Sequence, residues 1–102
     1  MDIDVIEFKA FASNSLQGFL TIRLVELDLI ISDLTLHEQN GKRWIGLPGK
    51  LQIDRDRKVV IGTNGKPAYV PVLRFASPAA GNLFRDSVLT ALDTYRRGAR
   101  AA

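Results

Sequence analysis

The stretch that decides the fold is LIISDLTLHEQNGKRWIGL, residues 29–47. Its first half alternates between apolar and polar side chains, with Leu34 and Leu36 on one side, as in a strand with one buried face. Asn40-Gly41 follows, and both residues tolerate the positive φ angles that a type I′ turn requires. A returning strand over residues 43–47 completes the pattern. The stretch therefore predicts a tight antiparallel hairpin.

Outward from this hairpin, the same alternation predicts strands over residues 3–11 and 16–25, and a further strand over residues 68–75. Residues 49–67 combine a dense run of charges with a second turn cluster. Turn residues of this kind break regular strands. We therefore expect this segment to form a long, partly β-structured hairpin arm that projects from the sheet.

A helix is predicted near the C-terminal end of the chain. Ser77 is a suitable N-cap, and Pro78 suits the first helical position because its missing N–H costs no hydrogen bond there. Apolar residues recur at helical spacing over residues 83–95, and Gly98 is expected to end the helix. The predicted fold class is α+β, an antiparallel β-meander of four to five strands packed with one C-terminal α-helix.

The composition bounds the class of protein. The chain has 102 residues, of which 46% are hydrophobic and 25% charged, values that are typical of one globular domain. We expect a single domain over residues 1–102, with its core in residues 16–96. Without cysteine, disulfides and cysteine nucleophiles are excluded. The acidic N-terminal residues are unlike a signal peptide, and no apolar run approaches the ~20 residues that span a bilayer, so we expect a cytoplasmic protein.

Charge is distributed unevenly along the chain. Residues 1–41 contain two basic and seven acidic side chains, whereas residues 42–102 contain twelve basic and four acidic ones. Such asymmetry favours an anionic partner for the second half. A solvated basic surface, or oppositely charged patches that meet in an oligomer, would explain it equally well.

The sequence offers no catalytic or metal-binding constellation. His37 is the only histidine, and a base without a nearby nucleophile is not a catalytic site. Asp54 and Asp56 alternate with arginines and are better explained by a charge-balanced strand or loop than by a cation site. We therefore expect a non-enzymatic protein without a cofactor or a small-molecule substrate.

A basic cluster surrounds the only tryptophan. Cations that contact phosphates, combined with a ring that stacks on bases, are typical of nucleic-acid-binding surfaces. The alternatives are that Trp44 is a core residue shared between sheet and helix, and that the arginines near the end of the helix are simply solvated. The candidate nucleic-acid-binding residues are Lys42, Arg43, Trp44, Lys50, Arg55, Arg57, Lys58, Lys66, Arg96 and Arg97.

The hairpin residues also resemble a known family. Residues 30–36, Asn40-Gly41 and residues 44–50 (WIGLPGK) are similar to the core of the SpoVG-like bacterial proteins, first named for sporulation and septation. The last strand and the helix fall where that family has them, so the resemblance covers about residues 16–96. It implies a homodimeric DNA- or RNA-binding regulator without enzymatic activity.

Two other interpretations remain. The order of four strands and a helix is also similar to that of single-stranded-DNA-binding transcriptional coactivators, although only the architecture supports this likeness. From a different class, the chain is a protein-interaction or assembly module whose basic half meets an acidic protein. Binding to nucleic acid and binding to a protein partner are therefore the two hypotheses to separate.

Overall fold

The computed structural model describes the backbone of residues 1–101 and the side chains of residues 1–98. Four strands form one antiparallel sheet in chain order: β1 (Ile3–Ser13), β2 (Leu16–Leu24), β3 (Leu29–Gln39) and β4 (Lys42–Gly46). Two short strands, β5 (Gly49–Leu51) and β6 (Tyr69–Pro71), form a separate two-stranded sheet, and helix α1 spans Pro78–Ala101. The predicted α+β meander with one C-terminal helix is confirmed. Within the described residues, no helix is both long and apolar enough to cross a bilayer.

The hairpin between β3 and β4 forms as predicted. Asn40 and Gly41 have φ angles of 54° and 78°, the pair of positive values that a type I′ turn needs. This turn sets the register, so that His37 lies opposite Trp44 and Leu36 lies opposite Ile45. Adjacent residues of a strand point to opposite sides, and the two pairs therefore lie on opposite faces of the sheet.

The core lies between one face of the sheet and the helix. Its strand side chains come from β2 and β3, its helix side chains recur at helical spacing, and all are at least 96% buried. They are Leu20, Ile22, Leu34, Leu36, Phe84, Val88 and Leu92. We call the sheet face that contacts this core the inner face and the opposite one the outer face. Burial of seven large apolar side chains is the main stabilising contribution in a chain of this size.

The predicted hairpin arm is longer and more folded than the sequence indicated, and "the arm" below denotes residues 49–71. The strand predicted over residues 68–75 is wrong in extent, because only Tyr69–Pro71 pairs, and it pairs with β5 instead of joining the main sheet. Pro71 lacks the N–H that a longer ladder would require. The Cα radius of gyration is 15.3 Å, against roughly 13 Å for a compact chain of this length, because the arm projects.

Two similar turns build the arm. The amide of Asp54 donates to the carbonyl of Lys58, and eight residues later the amide of Gly62 donates to that of Lys66. Both turns contain a residue with positive φ, Arg57 at 61° in the first and Gly65 at 77° in the second. The two turns therefore have the same backbone hydrogen bond, with the positive φ at the same position.

Between these turns the backbone closes into a triangle. The amide of Gln52 donates to the carbonyl of Ala68, that of Ala68 to Val60, and that of Val60 back to Gln52, at 2.8–2.9 Å. Each of these three residues thus donates one backbone hydrogen bond and accepts one. The arm is a small closed unit rather than a simple two-stranded hairpin.

The helix begins as predicted but ends later. The Ser77 hydroxyl accepts a hydrogen bond from the amide of Ala80 at 3.2 Å, which is the expected N-cap. The prediction that Gly98 ends the helix is wrong, since α1 continues to Ala101. Glycine ends a helix by adopting positive φ, and Gly98 does not adopt it.

Candidate nucleic-acid interface

The arm presents the densest group of free cations in the described part of the chain. Its five basic side chains belong to exposed residues, and none forms an ion pair with another described residue. They are Lys50, Arg55, Arg57, Lys58 and Lys66. Lys42 is similarly exposed and unpaired within the described residues, at the start of β4. Six of the ten predicted interface residues are thus available to an anion.

The carboxylates of the arm do not neutralise this group. Asp54 uses one oxygen to accept hydrogen bonds from the backbone amides of Asp56 and Lys58, both at 2.9 Å, so it shapes the first turn. Among the described residues, no group of three histidine, cysteine or acidic side chains is placed to hold a metal ion. The arm therefore keeps a net positive surface.

Arg43 is in a different position from the other predicted residues. Its guanidinium donates two hydrogen bonds to the carboxylate of Asp93, at 2.8 and 3.0 Å, and ties β4 to α1. These hydrogen bonds raise the pKa of Arg43 and lower the pKa of Asp93. Binding a phosphate through Arg43 would first require breaking this bidentate contact.

The two predicted arginines of the helix also have partners within the protein. The Arg96 guanidinium lies 4.4 Å from the ring centroid of Phe8, a cation–π distance. Arg97 donates to the hydroxyl of Thr94 at 3.2 Å. Both lie on the helix side, so the structure does not bring all ten predicted residues onto one surface.

Trp44 lies on the outer face, away from the helix. The alternative that its ring is shared between sheet and helix is wrong, because Ile45 takes the inward position and Trp44 is 38% exposed. Its ring stacks on that of His37, with centroids 5.3 Å apart and an angle of 6° between the planes. One side of the indole is therefore covered by an imidazole and part of its surface is open to solvent.

His37 is held by two hydroxyl groups. Its Nδ1 lies 3.0 Å from Oγ of Ser15, and its Nε2 lies 3.0 Å from Oγ1 of Thr35. Both ring nitrogens are thereby used within the fold, and neither hydrogen bond involves a carboxylate that would orient a catalytic base. This arrangement fixes the plane of His37, and with it the plane of Trp44.

Sequence reasoning missed further residues of this surface. Phe11 and Phe19 lie on the outer face with ring centroids 6.0 Å apart. A cleft of about 500 Å³ separates Phe19 and Thr35 from Tyr69 of the arm. Phe19 has the strand parity opposite to Leu20 and Ile22, so the alternation in the sequence carried a signal that it points away from the core. Nothing local to the sequence indicated Tyr69.

A second cleft, of about 610 Å³, lies between β1 and α1. Three carboxylates line it, those of Asp2, Asp4 and Asp86, and no basic side chain does. Asp4 and Asp86 are each paired with an arginine, Arg23 and Arg85, at 2.9 Å, so among the described residues this cleft offers no free basic side chain to an anionic polymer. The outer face and the arm are therefore the better candidates for nucleic acid.

Comparisons of the chain with protein-family models, with curated proteins and with solved structures give no match. The resemblance to the SpoVG-like proteins stays a prediction from the sequence. The arm and the outer face are therefore the features from which a function can be inferred.

Proposed function

We propose that this chain is a non-enzymatic, nucleic-acid-binding regulatory protein of SpoVG type that acts as a homodimer. The observation that carries the proposal is the arm, where five basic side chains stand exposed without ion pairs to described residues. Lys42 adds a sixth cation on the β3–β4 hairpin. Projecting cations of this kind suit the phosphate backbone, which supplies most of the affinity in such complexes.

Four of the five cations belong to the two turns of the arm. Arg55, Arg57 and Lys58 belong to the first turn, and Lys66 belongs to the second, which repeats its geometry. Each cation that neutralises a phosphate releases a counterion, so affinity should fall steeply as salt rises. Contacts of this type position a protein on nucleic acid without reading the sequence.

Homodimerisation would cover exposed apolar side chains of the arm. Leu51, Ile53, Ile61 and Tyr69 are exposed although they are large and apolar. A projecting arm with such a surface gains stability when a second copy removes it from water. The dimer would also double the number of cations presented to one nucleic acid.

Charge reversal on the arm tests the nucleic-acid proposal. We expect Arg55→Glu and Lys58→Glu each to weaken binding of single- and double-stranded probes, and to reduce the slope of log affinity against log salt by about 1. Fluorescence anisotropy with labelled DNA and RNA at ~50 to ~200 mM salt would measure both quantities.

The matched control is Arg85→Glu, which makes the same charge change on α1, where Arg85 contacts the neighbouring Asp86. This variant should bind almost as the unmodified protein does. If no probe binds at ~50 mM salt, or if Arg85→Glu weakens binding as much as the arm variants, the arm is not a phosphate-binding element.

The exposed apolar side chains of the arm also favour the second hypothesis, a protein-interaction module. Under that hypothesis the arm docks on an acidic protein, and nucleic acid binds only weakly and without saturation. Ile53→Asp would then abolish capture of the protein partner while leaving the weak nucleic-acid signal unchanged. Saturable binding that depends on Arg55 would decide in favour of nucleic acid.

A further inference from the structure

We infer that the outer face of the sheet is a stacking platform for single-stranded nucleic acid, an inference that rests on the proposed function and specifies the form of its ligand. The platform is a row of four rings, one from each strand of the main sheet. They are Phe11 of β1, Phe19 of β2, His37 of β3 and Trp44 of β4. We call them the aromatic row.

The register places these rings on one face. Phe19 lies opposite Lys9 and Thr35, on the parity opposite to the buried Leu20. His37 and Trp44 are directly opposite each other, on the parity opposite to Leu36. The rings form two contacting pairs, with centroids 6.0 Å apart for the phenylalanines and 5.3 Å apart for His37 and Trp44. Thr35 links the pairs, because it lies opposite Phe19 and its hydroxyl contacts the His37 ring.

Three of the four rings, those of Phe11, Phe19 and Trp44, are partly open to solvent. Phe11 is 56% exposed, and α1 packs against the other face of the sheet. Burial of large rings is strongly favourable, so a face that leaves Phe11, Phe19 and Trp44 partly in water, beside the half-buried His37, gains free energy from a flat apolar partner. Bases have such faces, and base–aromatic stacking tolerates any base.

The surroundings favour a polynucleotide over a neutral partner. Lys42 follows the parity of Trp44 on the same hairpin strand, and the cleft beside Phe19 leads to the base of the cationic arm. The cleft itself is lined by apolar and neutral residues, with Asp33 as its single charged one. A base suits this cleft and a phosphate does not, whereas the phosphates can reach the arm.

The ligand must expose the faces of its bases. In a duplex those faces are stacked on neighbouring pairs, and only the edges are presented in the grooves. Ring side chains therefore cannot stack on those faces. We therefore expect a single strand to bind more tightly than the corresponding duplex, with ribose and deoxyribose accepted alike because the π-faces are the same.

His37 acts as a positioning residue for Trp44. Its hydrogen bonds to Ser15 and Thr35 hold the imidazole in the plane on which the indole stacks. Gly46 is part of this arrangement, because a Cβ at that position would collide with the hydroxyl of Thr35. The ring of Trp44 is thus oriented before any ligand arrives, which lowers the entropic cost of binding.

The intrinsic fluorescence of the protein provides a direct test. Trp44 is the only tryptophan in the chain, so any change in its emission reports on the aromatic row alone. Titration with short oligothymidylate and oligouridylate should quench the emission to saturation, at concentrations where the corresponding duplexes cause little change. This measurement uses the unmodified protein and does not depend on whether a variant folds.

Substitutions provide the second test. Trp44→Leu and Phe19→Leu should each weaken binding of a labelled single strand by about five-fold or more, whereas Trp44→Phe should retain most of the affinity. The matched control is Tyr95→Leu, which removes a ring with a similar exposed fraction, 36%, from the helix side. Circular dichroism would establish that each variant is folded.

The outcomes separate this inference from the proposed function. If single strands bind with salt-dependent affinity, quench Trp44 and lose affinity in Trp44→Leu but not in Tyr95→Leu, the inference is supported. If binding depends on Arg55 and Lys58 but leaves the emission of Trp44 unchanged, or favours duplexes, the arm binds nucleic acid and the platform is wrong. If nothing binds, both fail.

Discussion

At the scale of single residues, Arg43 and Asp93 form the clearest link between the sheet and the helix. The bidentate contact is half-buried, and it lies close to the end of the core. A guanidinium held in this way acts as a structural residue first. Reversing the charge of Arg43 would place two carboxylates together, so a loss of binding in that variant would reflect loss of stability.

The pH dependence of stability tests this ion pair. Asp93→Asn should lower the free energy of unfolding at pH 7 by about 1 kcal/mol, a value limited by the partial exposure of the pair. The hydrogen bond from Arg43 lowers the pKa of Asp93 in the folded chain below its ordinary value of 3.8. The pair therefore stabilises the fold above that value, and its contribution disappears as the pH falls through the lowered pKa.

Urea unfolding of both proteins between pH 7 and the acid range would measure this change. The cost of Asp93→Asn should shrink steadily once the pH drops below about 4. Asp86→Asn, which removes a more exposed partner of Arg85, should cost much less at every pH. A cost for Asp93→Asn that is the same in acid would mean that the carboxylate charge contributes nothing.

At the scale of elements, the arm depends on a few backbone angles. Gly65 has a φ of 77° in the second turn, with no atom within 4 Å of where a Cβ would stand. Gly65→Ala should therefore act through backbone strain alone, and destabilise the turn by about 1 kcal/mol. Hydrogen exchange at the amide of Gly62, which donates across this turn, should become faster.

The control is Gly98→Ala, at a glycine within the helix where a Cβ would likewise meet no described atom within 4 Å. Alanine is preferred over glycine in a helix, so this variant should leave exchange in the arm unchanged and stabilise α1 slightly. Faster exchange in both variants, or in neither, would contradict the assignment of strain to the positive φ of Gly65.

Some of these elements could be predicted from the sequence and others could not. The hairpin at Asn40-Gly41 and the N-cap at Ser77 were predictable because each depends on local chemistry within a few residues. The arm was not, since its triangle joins Gln52, Val60 and Ala68 through bonds that no local pattern specifies. The prediction that the helix ends at Gly98 failed because glycine occurs both at the ends of helices and within them.

In the candidate site, too, some residues could be predicted from the sequence and others required the fold. The cations of the arm could be listed from composition, but the pairing of Arg43 with Asp93 spans fifty residues and requires the fold. Only part of the aromatic row could be predicted from the sequence. Strand parity separates Phe19 from the core, whereas the side of the sheet that Trp44 occupies depends on where the helix packs.

At the scale of the whole molecule, the arm gives the chain an elongated shape, with principal extents of 50, 30 and 24 Å. Large apolar side chains are exposed along the arm. An isolated copy would keep this surface in water, and large exposed apolar patches mark interaction sites. If the partner is a second copy of the chain, we expect the two copies to associate through their arms.

Sedimentation or light scattering would determine the mass in solution. We expect a dimer, and we expect Ile61→Asp to shift it toward monomer, because Ile61 of the arm is 58% exposed as an isolated chain. The matched control is Ile30→Asp, where the exposed fraction is 57% but the side chain belongs to β3. A monomer at all concentrations would rule out the dimer, and dissociation by Ile30→Asp alone would place the interface elsewhere.

The closed triangle of the arm also bears on how the chain stays out of aggregates. Val59-Val60-Ile61 is a short, β-prone apolar run of the kind that templates intermolecular stacking when its backbone is unpaired. The amide and the carbonyl of Val60 are both used inside the arm, by Gln52 and Ala68, so the middle of the run offers no edge to another chain. Charged Arg57 and Lys58 precede it and act as gatekeepers. The arm can therefore expose apolar side chains for a specific partner while its backbone is protected from β-sheet aggregation.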